Sequence, residues 1–202
     1  MARQVHFITH PDVLIDPAVP VPDWPLSGRG RARMQAALRQ PWISGVRSIF
    51  CSTERKAIDG AEILAEALGL PVIQLKDLGE NDRFSTGYLP KLEFEATADQ
   101  FFARPQESIR GWERAVDAQR RIVAAMDEVL CRAPAEGDIA VVSHGGVGAL
   151  YLCHLQGRPI SRAADQPAGQ GGHRYVVLAE DRRLLHGWRS IDAVAPGTSP
   201  VP

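Results

Sequence analysis

Two apolar runs in this chain stop on a histidine. The first reads VHFITHP, with Thr9, His10 and Pro11 at its end. The second reads VVSHGG, in which Ser143 and His144 are followed by Gly145 and Gly146. Between them lie Ser52, Arg55 and Lys56 after a third apolar run, and Glu80 and Arg83 after a fourth. Two imidazoles, a carboxylate and one or more cations can carry out nucleophilic and acid–base chemistry on an anionic substrate. An imidazole is a competent neutral nucleophile near pH 7 because its pKa lies close by. A polar residue followed by glycines that open a helix exposes backbone N–H groups at the positive end of a helix dipole, a favourable place for an anion. Each of these features alone is ordinary. A histidine at a strand end is more often structural than catalytic, so the reading depends on whether the elements bring the four sites together.

The elements that must do so are legible from periodicity. QVHFIT (4–9), VRSIFCS (46–52), LPVIQL (70–75) and DIAVVS (138–143) read as buried strands. The stretch PDVLIDPAVPVPDWP carries five prolines and is irregular. Ser27 is a good N-cap for a helix starting near residue 28. Residues 53–69 form an amphipathic helix with Ala57, Ala61, Leu64, Ala65 and Leu68 on one face and Gly69 as its stop. A long helix is expected from Gly111 to about Arg132, and another straight after His144. HRYVVLAE (173–180) and RLLHGWRS (183–190) look like a hairpin.

Strands alternating with helices predict an α/β fold: a three-layer α/β/α sandwich around a mostly parallel sheet. Ligands of such sheets bind outside the carboxyl ends of the strands, which is where His10, Ser52, Glu80 and His144 fall. One domain is expected over residues 1–192, with an irregular insertion at about 77–110 holding a short helical piece near 93–103. Residues 193–202 read as a flexible tail.

Composition narrows the partners. The 202 residues are 45% hydrophobic with a net charge of −1, so no strong global field draws nucleic acid or an acidic membrane. Lysine occurs only at Lys56, Lys76 and Lys91 amid an arginine-rich basic set, which makes Lys56 at a strand end conspicuous. Cys51, Cys131 and Cys153 are far apart and form no CxxC, so neither a zinc site nor a disulfide framework is signalled. With no long apolar segment, a cytoplasmic location is expected.

The ordered motifs resemble the histidine phosphatase superfamily, in the branch that includes the phosphoglycerate mutases. Members carry Arg-His-Gly after the first strand, where this chain has Thr9-His10-Pro11. Leu26-Ser27-Gly28-Arg29-Gly30 is similar to the family's helix opening, and Ser52 to Ala61 to its Ser-x-x-x-Arg-Ala-x-x-Thr-Ala pattern, with Lys56 aligned to the arginine. Glu80 matches a glutamate after the third strand, and residues 143–146 match Ser-His-Gly-Gly in full. The resemblance covers residues 4 to 190. It implies a metal-independent phosphatase, using no cofactor, that acts through phospho-His10. His144 would stabilise the phosphoryl group and Glu80 would donate the proton. Thr9, Lys56, Arg83 and Gly145 would bind phosphate.

Relative to the family pattern, both phosphate-binding arginines are replaced. Lysine binds phosphate as a point charge without a planar fork, so a weaker grip is expected unless Arg83 or an arginine of the 29–33 cluster fills in. The substrate would be a small phosphorylated molecule or a phosphoprotein. The alternatives are a non-catalytic phospho-ligand binding or regulatory protein and, less favoured, a mutase. A metal hydrolase using His10, His144 and His173 lacks any HxH, HxxxH or acidic ligand cluster. Ser52 could be a turn cap or a ligand. Arg29, Arg31 and Arg33 read as a solvated helix face. Phe84, Tyr88, Phe101 and Phe102 read as core packing of the insertion, or else as a roof over the pocket.

Overall fold

The apolar runs have the length and β-branched content of buried strands, and the sheet they form is buried on both faces. A computed structural model describes residues 2–193. Six strands form one sheet: β1 (Gln4–Thr9), β2 (Val46–Cys51), β3 (Val72–Gln74), β4 (Asp138–Ser143), β5 (His173–Leu178) and β6 (Leu184–Ser190), in the spatial order β3-β2-β4-β1-β5-β6. The first four in that order are mutually parallel. β5 runs antiparallel to β1, and β6 antiparallel to β5, as the hairpin pattern predicts. The fold is therefore the expected α/β sandwich with a mostly parallel sheet.

Five helices cover the sheet: α1 (Gly28–Ala37), α2 (Arg55–Leu68), α3 (Lys91–Ala103), α4 (Ala115–Arg132) and α5 (Gly145–Leu155). Alternation along each strand sends side chains to opposite layers. Val5, Phe7, Val141 and Tyr175 pack with Ile122, Met126 and Tyr151 of α4 and α5. Ile8, Ile49, Ala140 and Val142 pack with Met34, Ala57, Ala61 and Leu64 of α1 and α2. Phe101 and Phe102 of α3 are buried in a third cluster with Trp112, Ala115 and Leu150, so the insertion is anchored on α4 and α5. Phe84 is 72% exposed and belongs to none of the three clusters.

Helix boundaries follow their caps. Ser27 Oγ accepts from Gly30 N at 3.1 Å, fixing the start of α1. Gly69 ends α2 in the left-handed region at φ 66°. The long helix starts at Ala115 rather than Gly111, because Arg110 and Gly111 both take positive φ. The proposed tail lies outside the described residues except for Ala193. Among the described residues, no helix is long and apolar enough to cross a membrane.

The arginines of α1 are not one solvated face. Arg29 and Arg33 are four positions apart and share a face, with Arg31 on the opposite side of the axis; both reach Asp12, at different depths. Arg29 is 77% exposed, whereas Arg33 is 16% exposed and bonds Asp12, Asp192 and the carbonyls of Gly171 and Gly172. Gly172 N in turn donates to His10 O at 3.1 Å, so Arg33 braces the segment behind His10. Replacing Arg33 with alanine leaves buried Asp12 without its main partner. Urea unfolding should show a loss of about 2–3 kcal/mol, below the full penalty for breaking a buried pair because the network is partly wet. Arg29→Ala, which removes an exposed contact to the same aspartate, should cost under about 1 kcal/mol.

Candidate active site

The register of β1 on β4 brings the two histidines together. Thr9 lies opposite Ser143, and His10 N donates to Ser143 O at 3.1 Å. The residues one step beyond, His10 and His144, therefore emerge side by side, their ring centroids 5.2 Å apart and edge-on. β2 ends beside β4 in the same way: Ser52 N donates to Val142 O at 3.1 Å. Ser52 Oγ then lies 2.7 Å from His144 Nε2 and accepts from Glu54 N at 3.3 Å, so this hydroxyl is both a turn cap and a neighbour of the histidine.

The tautomer of His10 is set by its neighbour. Nδ1 is 3.0 Å from Pro11 O, which can only accept, so Nδ1 carries the hydrogen and Nε2 keeps a free lone pair. Burial, reinforced by the nearby Lys56 ammonium and the more distant Arg83, pushes the imidazole pKa down to about 4. His10 is thus neutral at pH 7. Burial likewise holds His144 well below the usual histidine range; Glu54 opposes this, and His10 and Lys56 add to it.

Glu54 was not among the residues expected at the site. Its carboxylate sits among the groups expected to grip phosphate. Oε1 accepts from Glu80 N at 2.8 Å and lies 3.3 Å from His144 Nε2. Oε2 pairs with Lys56 Nζ, which also donates to Val21 O at 2.8 Å. Burial would raise this carboxyl, yet His144 and Lys56 hold it well below the usual carboxylate range. At neutral pH, with His144 uncharged, the ammonium is the partner that matters. Lys56 is 2% exposed, and burial lowers its pKa against the pull of Glu54.

Glu80 also occupies a place expected to serve an anion. Its carboxylate accepts from Gly146 N and Val147 N, each at 3.0 Å, and from Asn81 N at 3.1 Å. The opening of α5 is therefore capped by a side chain of the protein. Arg83 stacks its guanidinium over Phe94, 5.0 Å from the ring centroid. A cleft of about 730 Å³ leads to this group, walled by Val21, Glu54, Glu80, Arg83 and Phe84. Asn81 also lines it, with its buried Nδ2 left without an acceptor.

Other expected ligands stand apart. Thr9 is buried; its hydroxyl donates to Gln166 Oε1 at 2.7 Å and accepts from His173 N at 3.0 Å, which commits it to the fold rather than to a ligand. At Gly145 an added Cβ would fall 2.4 Å from Gln166 Nε2, the end of a flexible side chain that would have to move aside. His173 lies near Arg33 and Asp192. Among the described residues no three histidine, cysteine or carboxylate side chains gather as a metal site requires.

A family model described as histidine phosphatase superfamily (branch 1) matches residues 18–191. No curated protein matches the sequence. Among solved structures, a mycobacterial glucosyl-3-phosphoglycerate phosphatase in complex with inorganic phosphate is similar at 22% identity, with a TM-score of 0.77 over 96% of this chain and 100% of that one. YhfR of Bacillus stearothermophilus is similar at 20% identity, with a TM-score of 0.76 over 96% of this chain and 98% of that one.

The depressed pKa of His10 has a consequence for stability. Between about pH 4 and the ordinary histidine value near 6.5, the unfolded chain binds a proton at this residue and the folded chain does not. Stability must fall as pH drops through that window. The imidazole is only partly buried by surface area, so the loss through this group should be on the order of 2 kcal/mol rather than the full shift. His10→Asn should therefore unfold less readily than wild type at pH 4.5, relative to their difference at pH 7.5. An equal pH response in both proteins would contradict the assignment.

Proposed function

The chain belongs to the histidine phosphatase superfamily, and from that membership we propose that it is a metal-independent phosphatase that hydrolyses a phosphomonoester through phospho-His10. The observation that carries the reading is the tautomer of His10. Pro11 O holds the hydrogen on Nδ1, leaving the Nε2 lone pair available beside the His144 ring. A nucleophile that is neutral at pH 7 needs no activating base.

In the proposed first step Nε2 attacks phosphorus, the N–P bond forms, and the bond to the leaving oxygen breaks. The departing oxygen takes a proton from Glu80, whose Oε2 accepts one hydrogen bond and keeps a lone pair able to carry that proton. Water then attacks the phosphohistidine, the N–P bond breaks, and the water's proton returns to Glu80. Lys56 and Arg83 neutralise charge on the phosphoryl oxygens, and the neutral His144 beside His10 stabilises them as a hydrogen-bond donor. Positioning and charge neutralisation are the main demands of phosphoryl transfer, and fixed strand-end groups suit both.

The second reading, a non-catalytic phospho-ligand binding protein, is favoured by one observation: Lys56, the expected phosphate ligand, is already paired with Glu54. Turnover separates the two. Wild type should hydrolyse para-nitrophenyl phosphate in the presence of EDTA, and His10→Ala should lose at least about a thousandfold in kcat/KM, as expected when a covalent nucleophile is removed. Rapid quenching of wild type should trap a base-stable, acid-labile phosphohistidine. Equal activity in wild type and His10→Ala would remove the mechanism, and phosphate binding without turnover would favour the binding protein.

A further inference from the structure

A phosphoryl group attacked by His10 Nε2 and held beside His144 lies against Glu54. Its Oε1 is already 3.3 Å from His144 Nε2 and bound to Glu80 N. Glu54 is not placed to withdraw. It stands at the N-terminus of α2, its backbone N–H is bound to Ser52 Oγ, and its side chain is 13% exposed. Lys56 pairs with it and Glu80 donates its backbone N–H to it, while Lys76, Asp77, Asp82, Arg83, Glu113 and Arg121 line the same cleft; the two histidines are neutral. Glu54 and Lys56 therefore balance each other before any ligand arrives.

A dianionic phosphate would press a P–O⁻ against the Glu54 carboxylate, and the Lys56 charge beside it is already paired. A phosphate that keeps one proton meets the same oxygen differently: its P–OH donates to Glu54, and its remaining charge faces Lys56 and Arg83. We propose that Glu54 is a specificity-determining residue that selects the monoanionic, singly protonated form of a phosphomonoester and rejects the dianion. The inference rests on the phosphatase reading and adds a charge state to its substrate class. A carboxylate in a phosphate cradle, otherwise an obstacle, becomes a hydrogen-bond acceptor for the one proton that distinguishes the two forms.

The test is the pH profile of kcat/KM for a phosphomonoester, whose second pKa is about 6. For wild type, kcat/KM should fall about tenfold per pH unit above that value as the monoanion is lost, or about 30-fold between pH 6.5 and 8. Glu54→Gln removes the charge and offers an amide N–H to P–O⁻, so its profile should change less than about threefold over the same range. A slope in Glu54→Gln equal to that of wild type would overturn the proposal. So would a folded Glu54→Gln that has lost turnover at every pH, since Glu54 would then be a catalytic group. A measurement on wild type alone needs no stable variant. With the para-nitrophenyl phosphorothioate, whose second proton is more acidic, the descending limb should move to lower pH; a limb that stays in place belongs to the enzyme and overturns the proposal. Wild type that turns over with a flat profile would overturn only this inference, whereas wild type with no turnover at any pH would overturn the phosphatase reading beneath it as well.

Discussion

One parallel register governs the site. Thr9 stands opposite Ser143, and the His10 N–H continues the ladder to Ser143 O. Two histidines more than a hundred residues apart in sequence become neighbours because each is the next residue after a paired strand. A slip of one residue would send His10 and His144 to opposite faces of the sheet. What prevents the slip is hydrophobic. Phe7 and Val141 must face α4 and α5, and Ile8 and Val142 must face α1 and α2. The burial that stabilises the sheet therefore also sets the distance between the imidazoles, and catalysis-grade positioning needs no separate device.

Around that pair, the chain supplies its own anions. The helix-opening N–H groups of α5 hold Glu80, and the buried ammonium of Lys56 holds Glu54. Burying a lysine without a partner would be strongly unfavourable, and the Glu54 carboxylate offsets this. The same pairing lowers the net positive charge offered to a ligand. Both histidines are kept uncharged by burial, so they contribute lone pairs and N–H donors rather than charge. The site differs in this from a cradle built of arginine forks, which attract a dianion by charge and geometry together.

The strands were readable because their signal is local. β1 and β4 fall on the residues expected from apolar runs, and α1 begins where Ser27 caps it. Three features were not readable in this way. Glu54 and Lys56 are two positions apart, a spacing that points away from contact on a helix. Glu54, however, is still extended at φ −79° and ψ 138°, and the turn into α2 folds the two side chains together. Thr9 has the right place for a ligand, yet its hydroxyl is claimed by Gln166 and the backbone of His173, which only the return of β5 beside β1 brings near. Arg33 looked solvated because its acceptors, Gly171, Gly172 and Asp192, lie about 140 residues away or more. Long-range partners carry no short-range sequence signature.

The segment after β3 illustrates how irregular chain can still position chemistry. Arg121 of α4 donates to the carbonyls of Asp77, Gly79 and Glu80 and pairs with Glu113, so the backbone leading to Glu80 is fixed by a side chain of a rigid helix. Glu80 N then meets Glu54, and its carboxylate meets α5, which ties three elements at one residue. Three residues further on the constraint relaxes. Arg83 makes no side-chain hydrogen bond or ion pair among the described residues and rests on the face of Phe94. Its guanidinium also adds to the downward shift of the His10 pKa. One loop thus holds a carboxylate that cannot shift without breaking several backbone bonds and a cation that can swing for the loss of a single stacking contact. Lys56 is bound to the protein by Glu54 and Val21, whereas Arg83 is held by one stacking contact.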